Sequence, residues 1–346
     1  MRYLLLIFLV ISCGVSKKVP HEKIKLTYLD DISIENIDDS IHFGGISGIF
    51  YQHDTLYMIS DSSEKPKIFS AVLKFDKQKI KQITPKLYLD IKTPENQYFD
   101  LESIQKFEHS DDFLISSEGN INKGISTSIF RINKKGKVEK YYNMPEVYQI
   151  ENNKSNLRHN RGIEAVTFNT DKSGFWFSTE FPLKSEGKPP RIFKSGAAQE
   201  LLFYNLKKEQ MTSRFKYQLA PIPKLPLLPY SLNGLTGMLM LDSKNIITIE
   251  RGFSAGWGKH SNRVKLFLIT SDKDLELAKQ SRINKYLLLD LNKIKNQLKT
   301  DRIDNIEGIC LGPKLKDGSK TILLISDDNY DTYNNQITQL IWLKIK

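Results

Sequence analysis

Two glutamates, Glu102 and Glu118, stand at the ends of a predicted β-hairpin. Residues 101–104 have the pattern of a first strand, residues 108–112 have the composition of a turn, and residues 113–118 form an apolar run of strand length. Because the first strand of an antiparallel hairpin starts at the edge where the second one ends, we expect the two carboxylates to lie close together. Carboxylates are the ligands of hard cations, so the pair is a candidate cation site.

The same arrangement of an apolar first strand and an acid-terminated second strand recurs along the chain. Aligned on one position of the first strand, the copies fall at residues 47, 102, 164, 236 and 307. The repeat brings six further acids to the same rim: Glu164, Glu307, Asp61, Glu180, Glu250 and Asp327. Like charges gathered at one place raise one another's pKa unless a cation compensates them. The pattern therefore predicts a site for Ca²⁺ or another hard divalent cation.

Two arginines are expected at this rim as well. Arg161 lies three residues before Glu164, and Arg251 directly follows Glu250. A guanidinium group suits the recognition of phosphate or carboxylate, but it also pairs with neighbouring glutamates, and the sequence leaves both alternatives open. The candidate catalytic residues are Glu164, Arg161, Arg251 and Glu102.

The repeat also predicts the fold. Successive copies are 55 to 72 residues apart, a distance that several strands fill, and this is typical of a β-propeller. Strand counting indicates an all-β protein with five four-stranded blades, of which the fifth is one strand short. We expect an N-terminal strand at residues 24–29 to take that place and close the ring. A propeller of six blades is the alternative.

The first 13 residues have the features of a bacterial lipoprotein signal peptide. A positively charged start is followed by an apolar run, residues 3–11, that is too short to span a bilayer, and then by Ser12 and Cys13. Cleavage before Cys13 would leave this cysteine lipidated, residues 14–23 as a tether and residues 24–346 as a single domain. We expect the lipid to anchor the protein in the cell envelope, at the periplasmic or outer-membrane face.

Composition narrows the class of partner. The formal net charge is +11, but the lysines are scattered and form no compact basic run, so we expect no binding to nucleic acid. Only Cys310 would remain beside the lipidated cysteine, and an internal disulfide bond is therefore not expected. We expect a monomer.

Several of these segments, taken in order, resemble a known family. They are Gly44-Gly45-Ile46-Ser47-Gly48-Ile49 with Ser60-Asp61, Asp100-Leu101-Glu102-Ser103-Ile104 with Ser117-Glu118-Gly119, Arg161-Gly162-Ile163-Glu164-Ala165 with Glu180, Asn233-Gly234, and Asn305-Ile306-Glu307-Gly308-Ile309 with Ser326-Asp327-Asp328-Asn329. The set is similar to the phytase-like family, which is described as having esterase-like activity. The resemblance covers about the whole mature chain and implies an exported bacterial propeller that hydrolyses an ester, such as a phosphate ester.

Two functions are consistent with these features. The first is a metal-dependent ester or phosphoester hydrolase, in which the acids hold Ca²⁺ and the arginines orient a small-molecule substrate at the acidic channel mouth. The second is a lipid-anchored binding propeller that holds a sugar, a peptide or a partner protein without turnover. The sequence contains no Gly-x-Ser-x-Gly or His-Glu-x-x-His motif, so it does not indicate a serine-hydrolase or zinc-protease mechanism.

Overall fold

The computed structural model describes residues 24–35, 39–63, 65–93, 97–151, 154–330 and 336–346. These residues form five antiparallel four-stranded sheets, arranged as the blades of a β-propeller. The five-bladed prediction is confirmed, and the described part of the chain contains no sixth blade. It also contains no helix that is long and apolar enough to cross a membrane.

The four strands of each blade follow one another outward from the central channel. They are, in blade 1, Ile46–Gln52, Thr55–Ser60, Lys67–Val72 and Lys86–Asp90; in blade 2, Leu101–Lys106, Phe113–Ser117, Ser128–Ile132 and Val138–Tyr141; in blade 3, Ile163–Phe168, Gly174–Thr179, Ala198–Asn205 and Gln210–Gln218; in blade 4, Ser231–Asp242, Asn245–Ser254, Asn262–Thr270 and Asn284–Asp290; and in blade 5, Asn305–Leu311, Thr321–Asp327, Thr338–Ile345 and Leu26–Ile34. The connections contain two short hairpins, Phe75–Asp76 with Lys79–Ile80 and Ile150–Glu151 with Lys154–Ser155. They also contain the 3-10 turns Asp39–Ile41, Ile121–Lys123, Glu146–Tyr148, Gly258–His260, Leu275–Leu277, Gln280–Arg282, Leu291–Lys293 and Lys295–Gln297.

The N-terminal strand completes blade 5. Leu26–Ile34 pairs in antiparallel fashion with Thr338–Ile345, so strands from both ends of the chain share one sheet. The predicted closing strand is confirmed, although it begins at Leu26 and continues to Ile34. The predicted signal peptide with Cys13, and the tether up to residue 23, lie outside the described residues. Lipid anchoring stays a prediction from the sequence.

Apolar clusters fill the space between neighbouring blades, with one cluster at each of the five boundaries. At the boundary of blades 2 and 3, for example, Leu114 and Ile129 share a cluster with Phe175 and Phe177. Because side chains alternate between the two faces of a strand, each blade can pack against both of its neighbours. This packing fixes the inner strands around a central channel.

Each inner strand has a β-bulge at the same place near its start. The extra residues in blades 1 to 5 are Ser47, Glu102, Glu164, Thr236 and Glu307. A bulge leaves one residue out of the hydrogen-bond ladder and turns its side chain away from the normal alternation. Three of the five bulge residues are glutamates, and all three line one central cavity.

The residue after each bulge is small, which allows adjacent inner strands to approach closely. These residues are Gly48, Ser103, Ala165, Gly237 and Gly308. A Cβ atom on Gly48 would lie 2.7 Å from the backbone oxygen of Glu102 in blade 2, so only glycine fits there. A hydrogen bond from Ser47 Oγ to the carbonyl of Leu101, at 2.8 Å, joins the same two blades.

Asp31 ties the closing strand to the segment that precedes blade 5. Its carboxylate is buried and accepts hydrogen bonds from the backbone N–H groups of Lys299 at 2.7 Å and Thr300 at 3.2 Å. The hydroxyls of Thr300 and Tyr28 donate to the same carboxylate at 2.8 and 2.6 Å. Gln339 Nε2 is a fifth donor at 3.4 Å. The five donors share this one acceptor, and the ring closes only when the strand that bears it is in place.

Replacing Asp31 with Ala should lower the free energy of unfolding by about 3 kcal/mol, because several donors would be left buried without an acceptor. Urea unfolding followed by tryptophan fluorescence measures this loss. As a control, Asp76 forms an exposed pair with Lys81 at 3.1 Å, and Asp76→Ala should cost less than about 1 kcal/mol. Equal losses in the two variants would contradict a role of Asp31 in closure.

Candidate active site

A cavity of about 290 Å³ opens at the rim where the inner strands begin. Six acidic side chains line it: Asp61, Asp100, Glu102, Glu164, Glu307 and Asp327. Arg161, Arg251, Asn305, Tyr230 and Phe253 are also part of its wall. All five blades contribute lining residues, so the cavity is the mouth of the central channel.

Two of the bulge glutamates, Glu102 and Glu164, line the cavity. Within the described part of the chain, neither carboxylate forms a hydrogen bond or an ion pair. Burial raises the pKa of both glutamates well above its ordinary value, and at Glu102 the negative charge of Glu164 adds to the effect. Both groups would therefore be stabilised by a proton or a cation.

A second ring of side chains comes from the second strand of each blade or from the residue that follows it. Its members are Asp61, Glu118, Glu180, Arg251 and Asp327, each opposite the residue that lies two positions before the bulge. Four of the five are acids, whereas blade 4 has an arginine. Burial, and then the charge of Asp327, raises the pKa of Asp61 to about 8.

Asp100, Glu102 and Glu118 form a compact acidic group. One carboxylate oxygen of each lies within 4.8 Å of the others, which permits a shared cation because Ca²⁺ holds its oxygen ligands at about 2.3–2.6 Å. Burial raises the pKa of Asp100 to about 6 and that of Glu118 to about 8. The N–H of Gly162 donates to Glu118 Oε1 at 2.8 Å, which partly offsets the effect by favouring the charged form.

Glu180 is held by both arginines. Arg161 Nε lies 2.9 Å from Glu180 Oε2, and Arg251 Nη2 lies 3.1 Å from Glu180 Oε1. Arg251 also lies 3.5 Å from Glu307 Oε1 and donates to Asn305 Oδ1 at 2.6 Å. Although burial opposes its charge, Glu307 and Glu180 raise the pKa of Arg251 above its ordinary value. Ion pairing is thus observed for both arginines, and both still line the cavity.

Glu250 lies away from the cavity, unlike the other acids singled out in the sequence. Its carboxylate accepts hydrogen bonds from the Tyr217 hydroxyl at 2.7 Å and from Asn233 Nδ2 at 2.8 Å, and it pairs with Lys285. The sequence repeat aligned Glu250 with the acids of the second ring, but the structure places Arg251 there. Because successive strand residues point to opposite faces, this shift of one residue removes Glu250 from the mouth.

Sequence reasoning did not identify Asp100 and Asn305 as site residues. Asn305 Nδ2 donates to Glu307 Oε1 at 2.9 Å and lies 3.4 Å from Asp327 Oδ2, so it links the two acids of blade 5. The repeat could have identified both residues, because Asp100 and Asn305 occupy the same aligned position, two residues before a bulge. The other three blades have glycine at that position.

Comparison with known proteins gives a family and several similar folds. The family model described as "Phytase-like: Esterase-like activity of phytase" matches residues 41–330. No curated protein matches the chain. An exo-1,5-α-L-arabinanase from a bovine ruminal metagenomic library has 11% identity and a TM-score of 0.43, with 86% of this chain and 91% of that chain covered. An exo-β-1,3-galactanase from Clostridium thermocellum has 10% identity and a TM-score of 0.47, with 92% and 62% covered.

The family match spans most of the chain and includes both rings of the cavity mouth. The bulge glutamates Glu102, Glu164 and Glu307 all lie between residues 41 and 330, and so does Arg251. Repeated blades, one acidic channel mouth and this match agree with one another. The chain therefore belongs to the phytase-like family, described by the esterase-like activity of phytase.

Proposed function

We propose that the protein is a metal-dependent hydrolase of ester or phosphate-ester bonds that acts in the acidic cavity. Membership of the phytase-like family indicates a hydrolase. Metal dependence is supported by the imbalance of charge at the mouth. In the described part of the chain, eight acids lie at the mouth, namely the six that line the cavity and the adjoining Glu118 and Glu180. The wall contains two cationic side chains, Arg161 and Arg251.

The available donor atoms fit a hard cation. Carboxylate and amide oxygens are the ligands that Ca²⁺ prefers. Asn262 also lines the cavity, and its buried Oδ1 atom has no hydrogen-bond partner in the described structure. Asp100, Glu102 and Glu118 would hold the ion, and the same cavity offers further candidates: Glu164, Glu307, Asp61 and Asp327. When bound, such an ion supplies Lewis-acid chemistry, since it makes water more acidic and stabilises negative charge on oxygen.

Glu164 is the candidate general base. It lies on the inner strand of blade 3, it is buried, and its carboxylate has no partner in the described part of the protein. Burial raises the pKa of Glu164, which makes the group a better proton acceptor near neutral pH. Glu164 would take a proton from the attacking water and later return it to the leaving group.

Arg161 and Arg251 would bind the anionic part of the substrate. Glu180 holds both guanidinium groups at the wall, and Arg251 Nε is buried without a hydrogen-bond partner among the described residues. An ester or phosphate oxygen would supply the missing acceptor. The same groups would stabilise the negative charge that develops in the transition state.

Replacing Glu164 with Gln should reduce turnover at least about a hundredfold while the fold is retained, since the amide keeps the shape but accepts no proton. The measurement is hydrolysis of p-nitrophenyl phosphate, p-nitrophenyl acetate and phytate by protein that is chelated and then refilled with Ca²⁺. Glu250→Gln is the matched control, because it changes another buried glutamate outside the cavity and should retain activity.

Full activity of Glu164→Gln would remove Glu164 from the mechanism. Activity of the wild-type protein that survives chelation would contradict metal dependence. If folded, calcium-loaded protein releases no product from any of the three substrates, the proposal fails, and a binding propeller becomes the better explanation of the mouth.

The metal-free protein should become less stable as the pH rises from about 4.5 to about 8. In this range Glu118, with a pKa raised to about 8, keeps its proton in the folded state, while the unfolded chain, with a pKa near 4.5, has lost it. Folding then binds protons, so the free energy of unfolding falls as pH increases. Asp61 and Glu307, with pKa values of about 8 and about 7, act in the same direction.

The variant Glu118→Gln isolates one of these groups. Its unfolding free energy, measured with urea in chelating buffer, should fall less steeply with pH than that of the wild type. The difference should be about 1.4 kcal/mol per pH unit between pH 5 and 8, which corresponds to one proton. Identical slopes in the two proteins would show that Glu118 carries its charge throughout this range.

A further inference from the structure

Six large apolar side chains are exposed together beside the cavity mouth. We call them the apolar rim: Phe193, Leu225, Leu227, Leu228, Tyr230 and Trp257. Leu225, Leu227 and Leu228 are 57%, 62% and 59% exposed, and Phe193 is 68% exposed. An apolar group of this size on a surface indicates an interaction, whereas a single exposed leucine does not.

The rim is built from three loops that hydrogen bonds hold together. Trp257 Nε1 donates to the carbonyl of Leu225 at 2.9 Å, and the N–H of Leu227 donates to the carbonyl of Ala255 at 2.8 Å. The third loop joins through the N–H of Phe193, which donates to the carbonyl of Ile222 at 3.2 Å. The backbone is therefore satisfied locally, and the apolar side chains are held in the solvent.

The charged residues within the three loops are all basic, although Lys259 lies 3.5 Å from Asp301 outside them and the acidic cavity lies on one side of the rim. Segments 187–197, 220–231 and 252–263, which form the three loops, contain six basic residues and no aspartate or glutamate. The basic residues are Lys188, Arg191, Lys194, Lys224, Lys259 and Arg263. Lys224 Nζ lies 3.4 Å from the centroid of the Trp257 ring, so basic and apolar groups are interleaved.

The rim is continuous with the cavity. Tyr230 belongs to both, and its hydroxyl accepts a hydrogen bond from Arg161 Nη2 at 3.0 Å. Phe253, which packs 5.9 Å from Tyr230 between ring centroids, also lines the cavity. A partner bound to the rim would therefore lie directly beside the mouth.

We propose that the apolar rim docks onto an anionic lipid surface. Leucine and aromatic side chains inserted at the level of the headgroups lose their contact with water, and the surrounding lysines and arginines attract anionic headgroups. A peptide partner would account for the apolar side chains, but the six basic residues that the three loops carry favour a surface of negative charge. The proposal concerns docking alone and does not depend on the proposed hydrolase activity.

The fluorescence of Trp257 can report contact between the apolar rim and lipid. Of its three tryptophans, Trp176 and Trp342 are buried and Trp257 is 37% exposed. With the full chain and vesicles of equal parts phosphatidylglycerol and phosphatidylcholine, brominated acyl chains should quench the emission of Trp257. Trp257→Phe should lose the quenching but still bind. Because quenching requires the rim itself to enter the bilayer, attachment through the N-terminal segment cannot produce the signal.

The variant with both Leu227→Asp and Leu228→Asp should lose at least about tenfold in quenching at a given lipid concentration. Both side chains are exposed, so folding should be unaffected, which thermal unfolding checks. The matched control is Leu277→Asp, which changes a 75% exposed leucine in the turn Leu275–Leu277 at the opposite rim. This control should behave as the wild type does.

Quenching in the wild type and the Leu277 variant, but not in the double variant, would support the proposal. Quenching that is as strong with phosphatidylcholine alone would contradict the role of the basic residues. Unchanged Trp257 emission in the presence of excess brominated anionic vesicles would overturn the proposal, and a protein partner would then be the occupant to seek.

Discussion

Mutual repulsion of clustered carboxylates is the constraint on which the rest of the site depends. Eight carboxylates line or adjoin one cavity at the channel mouth, four of them buried and four half-buried. The protein compensates part of this charge with Arg161 and Arg251, which share Glu180. The remainder must be balanced by protons, as the raised pKa of Asp61 and Glu118 indicates, or by a bound cation.

The propeller fold brings these charges together and also determines on which side of the cavity each of them lies. Blades 2, 3 and 5 each place a bulge glutamate in the cavity, every blade adds a second-ring residue beside it, and the apolar clusters between blades hold these positions. Blade 4 departs from the pattern with Thr236 and Arg251. Both arginines of the wall belong to blades 3 and 4, whereas the charged lining residues of blades 1, 2 and 5 are all acids in the described structure, so a cation and an anionic substrate group would occupy different sides of one cavity.

The fold could be predicted from the sequence because the same pattern of apolar strand residues recurs in every blade. The site could be predicted only in part. Glu102, Glu164 and Glu307 were found because they recur at one aligned position, but the bulge that turns them inward is a register feature that no residue type reveals. Glu250 was misplaced for the same reason, since one residue of register decides which face a side chain takes. The pairing of Arg251 with Glu180 joins residues 71 apart, and the packing of blade 3 against blade 4 brings them together.

The balance between protons and a cation at the mouth is tested most directly by a calcium titration of the chelated protein in a calorimeter at pH 7. Running it in two buffers of different ionisation enthalpy gives the number of protons released for each ion bound. If the carboxylates hold protons in the metal-free protein, Ca²⁺ should bind and displace about one proton or more. Calcium binding without proton release would contradict the retention of protons by the metal-free carboxylates, and no binding to folded protein would contradict the assignment of these acids to a cation site.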